Sequence, residues 1–383
     1  MSRTVVSRTV PSQTVPSRTV ENAPVRVGLV GCGKISEAYL GAPYPGVEYV
    51  ACADLDRARA LATAEAHGLR AESVDDLLAD AEIDVVCNLT VPQAHATVGL
   101  RALEAGKHVY CEKPLATRRA DAWELLATAA SSGLLVGCAP DTFLGAGLQT
   151  CRKVIDDGLI GAPIAAMAHM VNHGHEHWHP DPAFYYETGG GPLLDMGPYY
   201  LTALVALLGP IARVVASTSG IGSERIVPVG PRAGEVLAVE VPTHVAGVVD
   251  LVDGTIASIV TSFDVFSSEL PRLEIHGSEG SLLLPDPNTF SGPVRMFRRG
   301  ARAVEEIAVE RFALEQRGIG LADLAATAHG TATGANRASG DLAYHVLDAM
   351  IALAESGETG ERIDLASTVR RPPPMPPRDV RGA

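Results

Sequence analysis

The chain has 383 residues, a length that favours two domains over a single core. Hydrophobic residues make up 46% and charged residues 20%, which is typical of a globular protein with sizeable cores. The net charge of −14 argues against a nucleic-acid or anionic-membrane partner, because like charges repel before specific contacts form. No apolar run approaches the ~18 residues of a membrane span, and the N-terminus has no apolar signal segment.

All six cysteines lie between Cys32 and Cys151, and none belongs to a C-x-x-C pair. Most of them fall in apolar runs, where a thiol packs as a small hydrophobic group. This distribution predicts a reducing compartment without disulfides, and we expect the protein to be cytoplasmic.

Both ends of the chain have the composition of tails. Residues 1–24 repeat a short unit built on Ser-Arg-Thr-Val and are predicted to be disordered, because they cannot bury enough apolar surface to offset the entropy of ordering. Residues 371–383 are rich in proline and are predicted to be extended. We place one domain at 25–143 and a second at 144–370.

The first domain alternates short apolar runs with helical stretches, a pattern typical of a parallel sheet wrapped by helices. The helical stretch Thr117–Ser132 has apolar residues at +3 and +4 and stops at Gly133. The predicted strands are Val25–Val30, Tyr49–Ala53, Ile83–Leu89, His108–Cys111 and Leu134–Cys138.

The second domain begins with a connecting helix at about 145–158 and continues with strands joined by short turns such as Asp253-Gly254. This pattern predicts a mainly antiparallel sheet in an α+β domain. A last helix is predicted at about Asp341–Glu355. The predicted strands are Arg213–Thr218, His244–Leu251, Thr255–Phe263, Leu273–His276 and Ser281–Leu284.

A glycine-rich turn, Gly31-Cys32-Gly33, follows the first strand, and Asp54 stands 23 residues after Gly31 at the end of the second. Gly31 allows a tight turn and Gly33 lets backbone N–H groups approach a pyrophosphate. Asp54 is expected to accept from the adenosine ribose and to repel a 2′-phosphate, which favours NAD over NADP. The alternative is an ordinary glycine-rich turn without a ligand.

Two further stretches follow strands of the same sheet: Thr90-Val91-Pro92 with His95, and Glu112-Lys113-Pro114. Ligands of open parallel sheets bind beyond the carboxyl ends of the strands, where both stretches lie. Lys113 is one of only four lysines in the chain. Pro114 restricts the backbone of Lys113, which fixes where the amine points. A structural ion pair is the alternative role for Lys113.

With these motifs, the chain resembles the glucose–fructose oxidoreductase/inositol dehydrogenase/rhizopine-catabolism (Gfo/Idh/MocA) family over about residues 25–370. The resemblance rests on VGLVGCGKIS, LTVPQAHA, AGKHVYCEKPLA, GGGPLLDMGPYY and RASGDLAYHVLDAM. It implies a Rossmann domain, a second domain with a large open sheet often used for oligomerisation, and Lys113 as a catalytic residue. The residues expected to contact the cofactor are Gly31, Gly33, Lys34, Ile35, Asp54, Thr90, Pro92, His95 and Glu112.

The family motif D-x-x-x-H begins at Asp195, but Tyr199 occupies the position of its histidine. Residues four apart share a helical face, so both side chains are expected to act on one substrate hydroxyl. Our hypothesis is that Lys113 and Asp195 bind this hydroxyl and Tyr199 exchanges its proton. The alternatives are a substrate-wall role for Tyr199 and a helix-cap role for Asp195, since Pro198 would break a helix that began earlier.

The segment His173–His179 has a histidine at every second position, and in a strand these imidazoles would face one side like metal ligands. Pro180 and Pro182 make a regular strand unfavourable, and no metal is expected. We expect some of its side chains, with one later tyrosine, to bind the substrate, and a surface loop is the alternative. The predicted substrate-binding residues are His175, His177, Trp178 and Tyr186.

The sequence therefore predicts an NAD-dependent dehydrogenase or reductase that acts on a sugar, glycoside or cyclitol hydroxyl, as a homo-oligomer. A non-enzymatic NAD-binding regulator with the same fold is the second interpretation, and the presence of both Lys113 and Asp195 argues against it. A third is redox-assisted elimination or glycoside cleavage, in which NAD is recycled within each turnover.

Overall fold

The computed structural model describes residues 23–41, 44–310, 316–330 and 336–376. The disorder predicted for 1–24 concerns residues that lie almost entirely outside these ranges, as do 377–383 of the proline-rich end. The described residues form two compact units. Those of the N-terminal unit fall within Val10–Gly145, Phe312–Tyr344 and Pro372–Ala383, and those of the C-terminal unit within Ala146–Arg311 and His345–Arg371.

In the described part of the N-terminal unit, six parallel strands form a sheet in the order β3-β2-β1-β4-β5-β6. This is the order of the doubly wound dinucleotide-binding fold, so the prediction for this domain is confirmed. The central strands β1, β4 and β5 are almost entirely buried, in agreement with their apolar sequences. The strands are β1 (Val25–Val30), β2 (Val47–Ala53), β3 (Arg70–Glu72), β4 (Val85–Asn88), β5 (His108–Cys111) and β6 (Val136–Cys138).

Some of the helices that connect these strands begin or end at residues with the expected capping chemistry. The Asp56 side chain accepts from two backbone N–H groups at the start of α2, and Gly68 ends that helix in the left-handed region. Gly133 ends α5 in the same way, as predicted. The helices are α1 (Ser36–Leu40), α2 (Arg57–His67), α3 (Val74–Ala79), α4 (Pro92–Glu104) and α5 (Arg119–Ser132).

The C-terminal unit contains a nine-stranded sheet in the order β16-β15-β14-β13-β7-β12-β11-β8-β17 within the described residues. Neighbouring strands of this sheet are antiparallel, except that β7 and β12 are parallel to each other. This confirms the predicted mainly antiparallel sheet. Its strands are β7 (Pro163–Val171), β8 (Ile211–Ser219), β11 (His244–Leu251), β12 (Ile256–Ser262), β13 (Leu273–Gly277), β14 (Gly280–Leu284), β15 (Val294–Arg298), β16 (Glu305–Ile307) and β17 (Ile363–Asp364), and a separate hairpin pairs β9 (Glu224–Ile226) with β10 (Val236–Ala238).

The chain after residue 145 also contributes the helices α6 (Ala146–Asp156), α7 (Gly191–Leu208), α8 (Ile319–Ala328) and α9 (Gly340–Thr359). The predicted domain 144–370 was continuous, whereas α8 belongs to the N-terminal unit. The physical reason is the contact of this returning segment with the parallel sheet. The Cys138 N–H donates to the Ala338 carbonyl oxygen at 2.8 Å, and α8 lies against β5 and β6.

The helix α7 begins earlier than expected. Asp195 lies inside it and is not its cap, because the helix starts at Gly191 with Pro192 in the first turn. Pro198 lies inside the helix and removes one internal N–H donor, but the helix continues because burial on nearly all sides stabilises it. By length and composition α7 resembles a membrane-crossing helix, yet most of it is buried within the fold, as in the core helix of a globular protein.

A buried histidine joins α9 to the sheet of the C-terminal unit and should make stability depend on pH. His345 is 0% exposed; its Nε2 accepts from the Ile211 N–H at 2.9 Å and its Nδ1 faces the Ser367 hydroxyl at 2.8 Å. Burial lowers the pKa of His345 to about 4. Because this pKa lies below the ordinary value of about 6.5, the stabilisation is complete above pH ~6.5 and is lost as pH falls toward ~4.

We therefore expect the free energy of unfolding to drop by about 3 kcal/mol across this window through His345 alone. The His345→Gln variant should be less stable than wild type at neutral pH but should show a flatter pH dependence. Calorimetric unfolding at several pH values measures both effects, with His67→Gln, a partly exposed histidine in the other unit, as the control. An unchanged pH dependence in His345→Gln would contradict the assignment.

Candidate active site

The turn after β1 has the geometry that a dinucleotide needs. Gly31 has a φ of 101°, and a Cβ there would lie 2.6 Å from the Leu89 carbonyl oxygen, so only glycine fits. Beyond Gly33 and its two chain neighbours, no heavy atom lies within 4 Å of the position that a Cβ would take at Gly33, which leaves the backbone open to a ligand. Lys34 is exposed and Ile35 partly exposed beside it. The open backbone fits the close approach of a pyrophosphate.

Asp54 joins the end of β2 to this turn. Its Oδ2 accepts from the Cys32 N–H at 2.8 Å, and its Oδ1 accepts from the Asp56 N–H at 2.8 Å. The Arg59 guanidinium lies 3.8 Å from Oδ2. The side chain is still 11% exposed, so the carboxylate lies at the surface of the turn where a ribose contact is predicted.

Polar groups at the carboxyl end of β4 form a buried hydrogen-bonded set. Asn88 accepts from the Thr90 hydroxyl at 2.7 Å through Oδ1 and donates to the His95 carbonyl oxygen at 2.9 Å. Pro92, partly exposed, occupies the first turn of α4, where its missing N–H is tolerated. This set fixes the loop between β4 and α4 relative to the strand.

His95 connects the ends of β4 and β5. It is 0% exposed, and its ring nitrogens lie 2.6 Å from the Pro114 carbonyl oxygen and 2.9 Å from the Thr90 carbonyl oxygen. Burial lowers the pKa of His95, so the neutral ring donates to only one of these two acceptors. The predicted direct contact of His95 with the cofactor is therefore replaced by a role in fixing the segment that carries Lys113.

Glu112 has a similar positioning role. It is 7% exposed, and its two carboxylate oxygens accept from the Tyr39 hydroxyl and the Lys113 N–H, both at 2.9 Å. Burial raises the pKa of the Tyr39 phenol, which keeps the hydroxyl protonated as a donor. Glu112 thus holds the backbone that presents Lys113, which is itself partly exposed, and the contact of Glu112 with the cofactor stays a prediction. Tyr39 lies 73 residues away and no sequence motif predicted it.

In the C-terminal unit, Asp195 and Tyr199 lie one turn apart on α7, so they occupy the same face of the helix. Tyr199 is 6% exposed, and the Asp195 side chain is 15% exposed. The Oδ2 atom of Asp195 lies 3.1 Å from Nε2 of His175. An imidazole therefore does lie beside Asp195, but it comes from a loop and not from the helix.

That loop, residues 173–179, follows β7 as a series of turns and does not continue the strand, so its histidines do not share one strand face. His177 is 39% exposed at its side chain and Trp178 is 55% exposed. His175 is buried, and its Nδ1 accepts from the Trp178 indole N–H at 3.1 Å. Among the residues that the structure describes, no group of three or more potential ligand side chains could hold a metal ion.

Tyr186 was predicted to contact the substrate, but it is 0% exposed and its hydroxyl donates to Glu176. The other Glu176 oxygen lies 3.2 Å from Nη1 of Arg225, whose guanidinium also pairs with Asp264. Sequence reasoning missed this buried ionic network because its members are far apart in the chain. The network links the histidine-rich loop to β9 and to the residues that follow β12.

Comparison with known proteins identifies the family. Residues 25–139 match the oxidoreductase family model described as an NAD-binding Rossmann fold, and residues 148–283 match the GFO/IDH/MocA C-terminal domain. The chain belongs to the Gfo/Idh/MocA family. It is therefore an NAD-binding oxidoreductase of the dehydrogenase and reductase class that acts on CH–OH groups. The predictions of family, fold class, enzyme class and cofactor are confirmed.

Two similar proteins have names that refer to sugar-like compounds. The chain is 28% identical to 1,5-anhydro-D-fructose reductase of Ensifer adhaerens over 316 residues, covering 81% of this chain and 88% of the reductase. It is 31% identical to inositol 2-dehydrogenase of Salmonella typhimurium over 147 residues, 37% of this chain and 44% of the dehydrogenase.

Among solved structures, the WlbA dehydrogenase from Bordetella pertussis in complex with NADH and UDP-GlcNAcA superposes with a TM-score of 0.71. The match covers 90% of this chain and 99% of the other, at 21% sequence identity. At this identity the likeness shows that the two chains share the Gfo/Idh/MocA fold.

Replacing Asp54 with serine should shift cofactor preference from NAD toward NADP. The substitution removes a carboxylate that repels a 2′-phosphate and leaves Arg59, 3.8 Å from it, beside the same position. A hydrogen bond to a charged group is worth about 1.5–3 kcal/mol, so kcat/KM for NAD should fall roughly 10- to 100-fold. Initial rates with NAD and NADP give the ratio of the two kcat/KM values.

The control for this experiment is Asp56→Asn, which keeps a capping acceptor at the start of α2. Its NAD-to-NADP ratio should equal that of the wild type. If Asp54→Ser also left the ratio unchanged, the ribose contact of Asp54 would be refuted.

Proposed function

We propose that this protein transfers a hydride between NAD and a hydroxyl-bearing carbon of a sugar, glycoside or cyclitol. The observation that carries the proposal is that Lys113 is held in place at the carboxyl end of β5 in the dinucleotide-binding sheet. Buried contacts of Glu112 and His95 fix the chain on both sides of Lys113. The chain has only four lysines, and buried side chains fix the backbone around this one. Such support is typical of a residue that acts on substrate.

The roles of the catalytic residues follow from their chemistry. Lys113 and Asp195 bind the oxygen-bearing centre of the reacting hydroxyl, Lys113 by donating to its oxygen, and the single hydroxyl proton is exchanged with Tyr199. Bound NAD supplies the acceptor or donor of the hydride. The turn at Gly31 and Gly33, with Lys34, Ile35, Asp54, Thr90 and Pro92, is proposed to hold this cofactor.

A sugar-like substrate is supported by the two named relatives, an anhydrofructose reductase and an inositol dehydrogenase. His177 and Trp178 are proposed to contact the substrate, because both are exposed on the loop that reaches Asp195. An imidazole bonds to hydroxyls, and an indole face packs against the C–H face of a sugar ring.

We also propose that the protein works in the cytoplasm as a homo-oligomer, with no nucleic-acid or membrane partner. All six cysteines are unpaired thiols, which is typical of a reducing compartment. The large sheet carries exposed apolar side chains that an identical subunit would cover, a common arrangement in oligomers. They are Met167, Val248, Ile256 and Phe297.

Replacing Lys113 with methionine should abolish most turnover while leaving NAD binding intact. Methionine keeps an unbranched side chain of most of the same length but has no donor for the substrate oxygen. We expect kcat to fall about 10²- to 10⁴-fold, the range typical of a group that assists proton transfer and orientation. The measurement is NADH formation with a panel of pyranoses, inositols and glycosides, together with fluorescence titration of NADH.

Lys153→Met is the matched control, because this lysine is about half exposed and forms a helix-surface ion pair with Asp157. It should be fully active. If Lys113→Met kept wild-type activity, the assignment of Lys113 would be wrong. Wild-type protein that binds NADH but converts no sugar would instead indicate a regulator. Product formation without net NADH would indicate elimination or glycoside cleavage with recycled NAD.

Replacing Tyr199 with phenylalanine tests the proton-transfer group. The change removes one hydroxyl from a side chain that is 6% exposed and keeps the ring that packs in α7. We expect kcat to fall about 10²-fold or more with little change in KM. Tyr200→Phe, on the neighbouring helix position, is the control. Equal kcat values for wild type and Tyr199→Phe would assign Tyr199 to the substrate wall.

A further inference from the structure

The side chain of Asp195 is held by a chain of two hydrogen bonds that no sequence motif predicts. Nε2 of His175 lies 3.1 Å from Oδ2 of Asp195, and the Trp178 indole Nε1 lies 3.1 Å from Nδ1 of His175. All three residues belong to the C-terminal unit. The order of the groups is therefore indole, imidazole, carboxylate.

The chemistry of the two outer groups fixes the tautomer of the central one. An indole nitrogen is a donor only, so Nδ1 of His175 must be the acceptor in its contact with Trp178. The remaining hydrogen of the neutral imidazole is then on Nε2, which donates it to the Asp195 carboxylate. Trp178 thus makes His175 a hydrogen-bond donor toward Asp195.

Aromatic neighbours restrict the His175 ring further. The ring centroid lies 4.3 Å from that of Tyr185, 4.6 Å from that of Phe263 and 5.3 Å from that of Trp178. His175 itself is 7% exposed. A ring packed among three others has little freedom to rotate, so the direction of its Nε2–H bond is set by packing as well as by hydrogen bonds.

The backbone of the loop is fixed next to His175. Glu176 accepts from the Tyr186 hydroxyl and pairs with Arg225 at 3.2 Å. Arg225 pairs in turn with Asp264. Because breaking one member of a buried ion pair leaves an uncompensated charge, this network resists displacement of the loop. His175 is therefore delivered from a rigid segment.

We propose that His175 and Trp178 are positioning residues for Asp195, and that His175 sets the orientation of the carboxylate that binds the substrate hydroxyl. This inference rests on the proposed function, in which Asp195 touches substrate. It replaces the expected role of His175 as a substrate contact. Trp178 retains an exposed ring face and takes part in both roles.

A pair of substitutions at His175 separates the hydrogen bond from the volume of the ring. The side-chain amide of His175→Gln keeps an N–H near the position of Nε2, whereas His175→Met fills similar space without a donor. We expect the methionine variant to lose about 10- to 100-fold in kcat and the glutamine variant to recover most of it, since the lost contact is a hydrogen bond to a charged group. NADH affinity should be unchanged in both.

The Trp178→Phe variant tests the outer bond and is less demanding for folding, because Trp178 is 55% exposed. It keeps an aromatic ring and removes the indole donor. We expect kcat to fall about 2- to 10-fold, as for one neutral hydrogen bond. His179→Gln, in the same loop with its Nδ1 near the Asp181 backbone, is the control and should retain wild-type kcat.

The tautomer gives a readout that does not depend on turnover. In nitrogen-15 histidine spectra of the whole protein, His175 should show a protonated Nε2 and an unprotonated Nδ1, and the resonance is assigned by its loss in His175→Gln. Protonation at Nδ1 in the neutral ring would overturn the proposal.

The kinetic outcomes separate this inference from the function on which it rests. Equal kcat values for His175→Met, His175→Gln and wild type, in an enzyme that oxidises a sugar, would overturn only the positioning role. An increase in KM with unchanged kcat in His175→Met would do the same and would return His175 to the substrate contacts. Absence of any sugar turnover in the wild type would overturn both proposals.

Discussion

A carboxylate that is withdrawn from water needs hydrogen-bond donors to replace the water, and this requirement organises the candidate site. Glu112 obtains its donors from Tyr39 and the Lys113 backbone, and Asp195 faces the imidazole of His175. Glu176 is met by Tyr186 and Arg225. Apart from the adjacent Lys113 N–H, each of these donors lies at least ten residues from its carboxylate in the sequence. Long-range contacts therefore fix most of the side chains that could take part in chemistry. The fold of each unit must form before these side chains are in place.

The sequence predicted elements well where a buried apolar run ends at a turn. The bounds of Val25–Val30, His108–Cys111 and His244–Leu251 are those expected, because turn-forming or polar residues lie at or near their ends. Strands were missed where the residue types do not favour a strand. Arg70–Glu72 is a polar strand at the sheet edge, and Pro163–Val171 is rich in alanine, a residue that favours helices, although it pairs on both sides within the larger sheet.

At the candidate site, local sequence motifs agree with the structure where a residue type is required by the backbone geometry. The positive φ of Gly31 and the close approach of Leu89 explain why a glycine stands there, and a local motif reports both. Side-chain roles inferred from residue type alone were less secure. His95 has the chemistry of a ligand contact, yet its ring joins two backbone carbonyls. The residue type determines which hydrogen bonds a side chain can form. Its neighbours in the fold determine which of them it does form.

The substitution of tyrosine for histidine in the D-x-x-x-H motif has a consequence for how Asp195 is controlled. Two residues four apart on a helix keep a fixed relation for as long as the helix exists. The His175–Asp195 contact instead depends on a loop, and the loop depends on Glu176 and Arg225. Trp178 links the exposed surface of this loop to the Asp195 carboxylate through a single imidazole. If a substrate ring packs on the exposed face of Trp178, as proposed, then substrate recognition and the orientation of the Asp195 carboxylate depend on the same loop.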